Sequence, residues 1–376
     1  MSNFYCAAPW RGLHINPQGS VKTCCAGDPN MLGNLNTQSI ESILHGPVMQ
    51  QIRQTLRQGR PHEQYCHNCI QAERYGRSER DWHNTVSPEF DPTTAPDDEH
   101  RPALIDVRWN ITCNLSCNYC GDKCSSKWAA LQHVPFKSGA RPYYQQVCDY
   151  LEQHRSAIRE VALVGGEPLL LPENERLLDV IPDDCIVTLI TNVSVDLASN
   201  KIFNKLKTRN QVGWSLSFDN IESRFEYVRH GSNWNLLLKN LKVINNLFDQ
   251  QSHWGGIHAV YNIYNATRLV EFTKFARSQG FTIHWQSLYQ PDCLDPQKLG
   301  SVTMSLAQKE IEHLLSLDIC LDSERDFFQQ VQQNFNFVQD LKNEFAEHTH
   351  KIETIYHTDQ QGQFEILWPE LEFLCK

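Results

Sequence analysis

At 376 residues, with 40% apolar content, the chain suits about two domains built around real cores. Its 34 basic and 44 acidic residues give a net charge of −10, which disfavours a nucleic-acid partner, because phosphate backbones are met by basic patches. No run approaches the roughly 18 apolar residues of a membrane span, and the opening Met1–Cys6 lacks the charged and apolar parts of a secretory signal.

Fourteen cysteines without such a signal predict a cytoplasmic protein whose thiols serve metal clusters rather than disulfides. Alternation in Leu13–Ile15 and Val21–Thr23, around Asn16-Pro17-Gln18-Gly19, predicts a hairpin. A helix is expected over about Ile40–Gln58; on it Arg53, Arg57 and, just beyond, Arg60 read as solvated. A charged helical patch, Ala72–Asp81, follows. Four prolines and several acids in residues 86–102 predict a solvated, semi-extended linker. Beyond it come strand patterns at Ala103–Val107, Glu160–Val164, Cys185–Ile190, Gln211–Phe218, Gly256–Tyr261 and Phe281–Trp285. Helical patterns lie between them at about 143–157, 197–208, 233–249 and 266–279. Strands alternating with helices predict a parallel sheet with right-handed crossovers. The last part predicts helices over Met304–Leu317 and Phe327–Phe345. In the second, Phe328, Val331, Phe335, Val338, Leu341 and Phe345 recur at helical spacing, which favours a packing helix over a lid. The aromatic tail Phe364–Lys376 is expected to tuck into the core, with Cys375 a casual thiol.

The chemistry concentrates in cysteines. Cys113, Cys117 and Cys120 stand at C-x-x-x-C-x-x-C spacing after an apolar strand. Three such thiols can hold three corners of an iron–sulfur cube and leave the fourth iron open. Zinc remains an alternative on spacing alone, with Cys124 as a fourth ligand. One strand later comes Gly165-Gly166-Glu167-Pro168, whose glycines permit close backbone approach and whose carboxylate suits a cationic amine. With this pair of motifs, residues 103–290 resemble the radical S-adenosylmethionine (SAM) enzymes. The resemblance implies an α/β fold, a partial (β/α)6 TIM-like barrel, with a [4Fe-4S] cluster on Cys113, Cys117 and Cys120 whose free iron chelates SAM. It implies that the Gly165–Glu167 turn binds the SAM amine. Thr191, Asn192 and Ser217 then become contacts to ribose or carboxylate, against a plainer reading as strand-end caps. Tyr119 falls where the family's backbone meets adenine. Arg229 reads as a carboxylate partner or as a surface arginine. Asp219, Asn262 and Gln286 share the same strand ends, where barrels carry their chemistry.

A second constellation precedes the first. Cys6, Gly19 and Cys24 form C-x(12)-G-x(4)-C, followed by Cys66-x-x-Cys69. A hairpin, a helix and a knuckle leave a zinc ribbon open. The pattern resembles the twitch domain, the short form of the SPASM extension, which holds one auxiliary [4Fe-4S] cluster. Two departures matter: the twitch usually follows the barrel, and Cys25 is left spare beside Cys24. The implied organisation is a small α+β twitch domain at 1–85, a linker at 86–102, the barrel at 103–290 and a helical extension at 291–376.

The resemblance implies reductive cleavage of SAM to a 5′-deoxyadenosyl radical, hydrogen abstraction from a substrate C–H bond, and electron relay through the auxiliary cluster. A flavodoxin- or ferredoxin-type donor is the implied partner. The substrate implied is a peptide or protein; the alternative is oxidation of a small polyol or aminosugar. A non-enzymatic metal-binding or electron-transfer module is the competing reading from another class.

Overall fold

The computed structural model describes residues 4–73, 79–96, 99–136, 141–250, 252–288, 290–335, 340–356 and 362–375, the side chains of Ala72 and Gln250 aside. Eleven strands follow in chain order among them: β1 Gly12–Ile15, β2 Ser20–Lys22, β3 Gly33–Asn34, β4 Leu104–Val107, β5 Ser116–Cys117, β6 Glu160–Leu163, β7 Ile186–Thr191, β8 Val212–Ser217, β9 Arg229–His230, β10 His253–Tyr261 and β11 Ile283–Ser287. The fold is mixed α/β with a largely parallel sheet. Its chain divides into two compact units, one of residues 1–112, 137–190 and 197–213, the other of residues 113–136, 191–196 and 214–376.

In the first unit the strands run in the order β7-β6-β4-β1-β2-β3. β7, β6, β4 and β1 are mutually parallel, and the β1–β2 hairpin adds an antiparallel edge. β4 and β6 are buried along their whole length, as strands covered on both faces must be. The N-terminal hairpin is therefore no separate layer: Leu13 sits opposite Ile105 across a parallel ladder. The expected linker is packed within this unit. Phe90 is buried against Trp10, Trp10 Nε1 donates to the Pro96 carbonyl at 3.3 Å, and Arg57 Nε donates to that of Pro92 at 3.0 Å. Prolines donate nothing, but their carbonyls accept, and here they meet the buried Trp10 indole and the half-buried Arg57 guanidinium. Arg53, expected in solvent, is fully buried; its guanidinium bonds the Pro9 carbonyl at 3.1 and 2.9 Å and lies 5.7 Å from the Trp10 ring. The helix expected over Ile40–Gln58 is two, Ile40–Leu44 and Pro47–Arg57. Pro47 cannot donate within a helix, so it opens a new one behind Gly46. Of the patch Ala72–Asp81, residues 74–78 lie outside the described residues; helices His67–Glu73 and Glu79–Val86 flank them.

In the second unit β10 pairs in parallel with β11 and neighbours β8. Helices Trp234–Gln250, Leu269–Ser278 and Gly300–Ser316 match the expected helical periods. The helix expected over Phe327–Phe345 is again two, Asp322–Gln333 and Lys342–Tyr356; residues 336–339 between them lie outside the described residues. The tail does enter the core: Phe364, Trp368 and Leu371 are fully buried with Tyr227, Tyr264 and Phe345.

Candidate functional site

The three-cysteine loop belongs to the second unit. β5 carries Cys117 and pairs antiparallel with β9, setting Cys117 opposite Arg229 and Ser116 opposite His230. The turn closes with Cys120 N–H donating to the Cys117 carbonyl at 2.9 Å. Nitrogen donors face two of the sulfurs. Leu115 N–H and Asn192 Nδ2 reach Cys113 Sγ at 3.4 and 3.8 Å, and Arg229 Nη1 reaches Cys117 Sγ at 4.0 Å. Burial pushes the Cys117 thiol up to about 12, and a hydrogen bond with the exposed Cys124, together with burial, pushes Cys120 up as well. Thiols so desolvated become thiolates when a metal takes the place of the proton.

Asn192 is placed by a strained turn at the end of β7. Val193 stands at φ +57°, costly for a β-branched residue by about 1–3 kcal/mol. The turn is over-determined. Thr191 Oγ1 accepts the Val193 N–H at 3.1 Å, and Asn240 Nδ2 donates to the Val193 and Val195 carbonyls at 2.8 Å each. Asn192 Oδ1 accepts from Ser194 N–H, and its amide nitrogen donates to Asn114 Oδ1 at 2.9 Å. Thr191 thus acts as a cap through its hydroxyl. Ser217 ends β8 half-buried.

Arg229 is no surface residue; it is buried, and the carboxylate it meets is Asp219, at 3.5 Å. Burial pushes the Asp219 carboxyl up, against the pull of the guanidinium, which stays protonated. Tyr119 OH donates to Asp219 Oδ1 at 3.3 Å and its ring lies 5.5 Å from the guanidinium; Asn262 Nδ2 reaches Asp219 Oδ2 at 3.5 Å. Two residues far along the sequence hold the same loop. His348 Nε2 donates to the Asn118 carbonyl at 3.0 Å, and Tyr356 OH to the Ser116 carbonyl at 3.0 Å, its ring stacked on His230 with centroids 3.8 Å apart.

In the first unit the Gly165–Glu167 turn packs on the segment ending at Thr112. A Cβ on Gly166 would stand 2.3 Å from the Thr112 carbonyl oxygen, so this glycine is demanded by protein backbone. Glu167 is buried; its N–H donates to the Thr112 carbonyl at 2.8 Å and its Oε1 accepts from Leu169 N–H at 3.1 Å.

The four N-terminal thiols also belong to the first unit. Cys6, Cys24, Cys66 and Cys69 line one cavity, together with Phe4, Ala8, Pro9, Leu56 and Tyr65. Burial pushes Cys24 up to about 12 and Cys66 to about 11. Four sulfurs in an apolar lining suit a cationic cluster, because desolvated thiolates need metal charge beside them. Among the described residues no three His, Cys, Asp or Glu converge as ligands of a single ion. Cys25 follows the end of β2 rather than lying in it, and lines a neighbouring cavity with His14, Glu79, His83 and Asp106.

Residues 6–70 match the SPASM iron–sulfur cluster-binding domain. The chain is 27% identical over 199 residues to 7-carboxy-7-deazaguanine synthase of Clostridium acetobutylicum, covering 52% of this chain and 80% of that protein. Among solved structures, anSMEcpe with bound AdoMet overlaps 66% of each chain at 19% identity and a TM-score of 0.41. Streptococcus suis SuiB bound to S-adenosylmethionine overlaps 70% of this chain and 54% of its own at 16% identity and a TM-score of 0.42. Among the described residues no helix is long and apolar enough to cross a membrane. The matched domain binds an iron–sulfur cluster, in line with the expected auxiliary [4Fe-4S] cluster. Its own cysteine motifs, the SPASM match over residues 6–70 and the curated relative point the same way: the chain is similar to radical SAM enzymes and carries an N-terminal SPASM-like iron–sulfur segment.

Proposed function

We propose that Cys113, Cys117 and Cys120 hold the SAM cluster of a partial radical SAM barrel, and that the enzyme removes a hydrogen atom from a C–H bond of a peptide or protein. When bound, the cluster supplies the electron that cleaves SAM reductively. The observation that carries this reading is the set of nitrogen donors on two of the three loop sulfurs, from Leu115, Asn192 and Arg229. Such donors favour thiolate over thiol and tune the metal they hold. Asp219 and Tyr119 orient Arg229, so its role is to hold the loop. We assign the SAM amine to the Gly165–Glu167 turn, ribose or carboxylate contacts to Thr191, Asn192 and Ser217, and adenine to the backbone at Tyr119. Cys6, Cys24, Cys66 and Cys69 hold the auxiliary cluster, and their closed set favours electron relay over substrate ligation. A flavodoxin- or ferredoxin-type protein supplies the electrons.

The peptide reading rests on the twitch/SPASM resemblance. A small-molecule substrate is the second reading, favoured by the name of the curated relative, a synthase of 7-carboxy-7-deazaguanine; a polyol or aminosugar belongs to this class. The test is anaerobic reconstitution followed by reduction. Roughly eight irons per chain and release of 5′-deoxyadenosine are expected. Bound zinc with intact SAM would establish the non-enzymatic module instead.

A further inference from the structure

The cradle around the four N-terminal thiols is completed by a helix beyond the SPASM match, Glu79–Val86. Two residues one turn apart on it, Arg80 and Asn84, face the same way. Both donate to the Tyr5 carbonyl, Arg80 Nη1 at 3.1 Å and Asn84 Nδ2 at 3.2 Å, and Asn84 Oδ1 accepts the Ala7 N–H at 2.9 Å. The backbone on both sides of Cys6 is thereby pinned. Arg80 also reaches towards Cys69. Its Nε donates to Glu73 Oε1 at 2.8 Å, and that oxygen lies 3.8 Å from Cys69 Sγ. Its guanidinium lies 4.3 Å from the centroid of the Phe4 ring. Among the described residues lining the cavity, Arg80 is the one permanent cation. Lys22 bonds the Cys25 carbonyl and does not line the cavity.

We propose that Arg80 is a positioning residue for the auxiliary cluster: with Asn84 it fixes the backbone on both sides of Cys6 and, through Glu73, it reaches the neighbourhood of Cys69, and its charge sets the cluster's reduction potential. The proposal rests on Cys6, Cys24, Cys66 and Cys69 being the ligands. Reduction adds a negative charge to the cluster, so a nearby cation favours the reduced form, as do hydrogen bonds to the sulfurs. Glu73 opposes that effect while orienting the guanidinium. At 21% side-chain exposure, the Arg80 charge is screened less than one at the open surface.

The test uses the full chain with Cys113, Cys117 and Cys120 changed to Ala, so that only the auxiliary cluster contributes an EPR signal. Arg80→Gln is expected to lower the reduced-to-oxidised ratio at the parent midpoint about tenfold, which is about 59 mV for one electron. Arg80→Lys should retain most of the parent value, and Glu73→Gln should move the midpoint the other way. If Arg80→Gln loses iron while keeping the parent far-UV circular dichroism, the positioning half of the proposal is supported, and Glu73→Gln decides the charge half. Unchanged midpoints in Arg80→Gln and Glu73→Gln, both with parent iron content, overturn the proposal. A parent chain that takes up no iron overturns the ligand reading beneath it, a result distinct from an unmoved midpoint.

Discussion

The two cysteine constellations solve different problems with the same atom. The N-terminal set encloses four sulfurs in a largely apolar cavity, with a guanidinium at one wall. The loop of Cys113–Cys120 offers three and surrounds them with amide and guanidinium nitrogens and with a strained turn. A closed apolar set suits a cluster that stores or passes an electron. A three-point set with polar neighbours suits one that must also receive a charged ligand.

The sharpest way to break this contrast is to remove one sulfur from each set. Cys117→Ala should reduce bound iron by about half and abolish 5′-deoxyadenosine formation. Cys24→Ala should also lose about half the iron yet still cleave SAM, while failing to complete turnover. A Cys24→Ala enzyme that finishes turnover removes the relay from the scheme. Next in size is Gly166→Ala. The new methyl must displace the Ile111–Thr112 backbone, at a cost of about 1–3 kcal/mol. Denaturant unfolding should register that loss together with much weaker SAM cleavage, and normal cleavage would detach this turn from SAM binding.

Acid should act on the first unit through His100. Its ring is buried between Tyr150 OH at 2.7 Å and the Gly12 carbonyl at 3.0 Å, and burial lowers its value to about 3. The unfolded chain therefore takes the proton first. Stability from this group is complete above the ordinary value of about 6.5 and drains away as pH falls toward 3, by up to about 1.4 kcal/mol per pH unit. Urea midpoints at pH 7 and pH 5 should separate in the parent and draw together in His100→Gln. The smallest effect is expected from Tyr356→Phe. It removes one hydrogen bond to the cysteine loop, about 1 kcal/mol. Iron should leave the SAM cluster faster under chelator while the auxiliary cluster is untouched.

Much of this was legible in the sequence because the signals are local. Spacing singles out the seven cysteines, and apolar runs find the strands within a residue or two, apart from a longer β10. What escaped depends on partners that sequence distance hides. Residues 86–102 read as solvated because proline and acid report backbone stiffness and charge, whereas burial there comes from Phe90 and from carbonyls that Trp10 and Arg57 seek out. Arg53 escaped for the same reason: its helix face was legible, its acceptor on Pro9 was not. Val193, Asn240 and Asn114 carry no motif, although an Asn between two cysteines of the C-x-x-x-C spacing was a cue. Glu73, Arg80 and Asn84 look like ordinary helix polarity until their partners at the N-terminal end are known.

Tyr356 and Ser116 are separated by 240 positions in the chain. A ribosome adding roughly 5–20 residues per second needs about 12–48 s to span that gap. During this interval the nascent cysteine loop lacks its downstream brace. Under the proposed assignment, delivery of iron and sulfide to that loop has a natural timing: the Cys113–Cys120 scaffold reaches its final shape only after translation has passed Tyr356, whereas Cys6, Cys24, Cys66 and Cys69 have emerged long before.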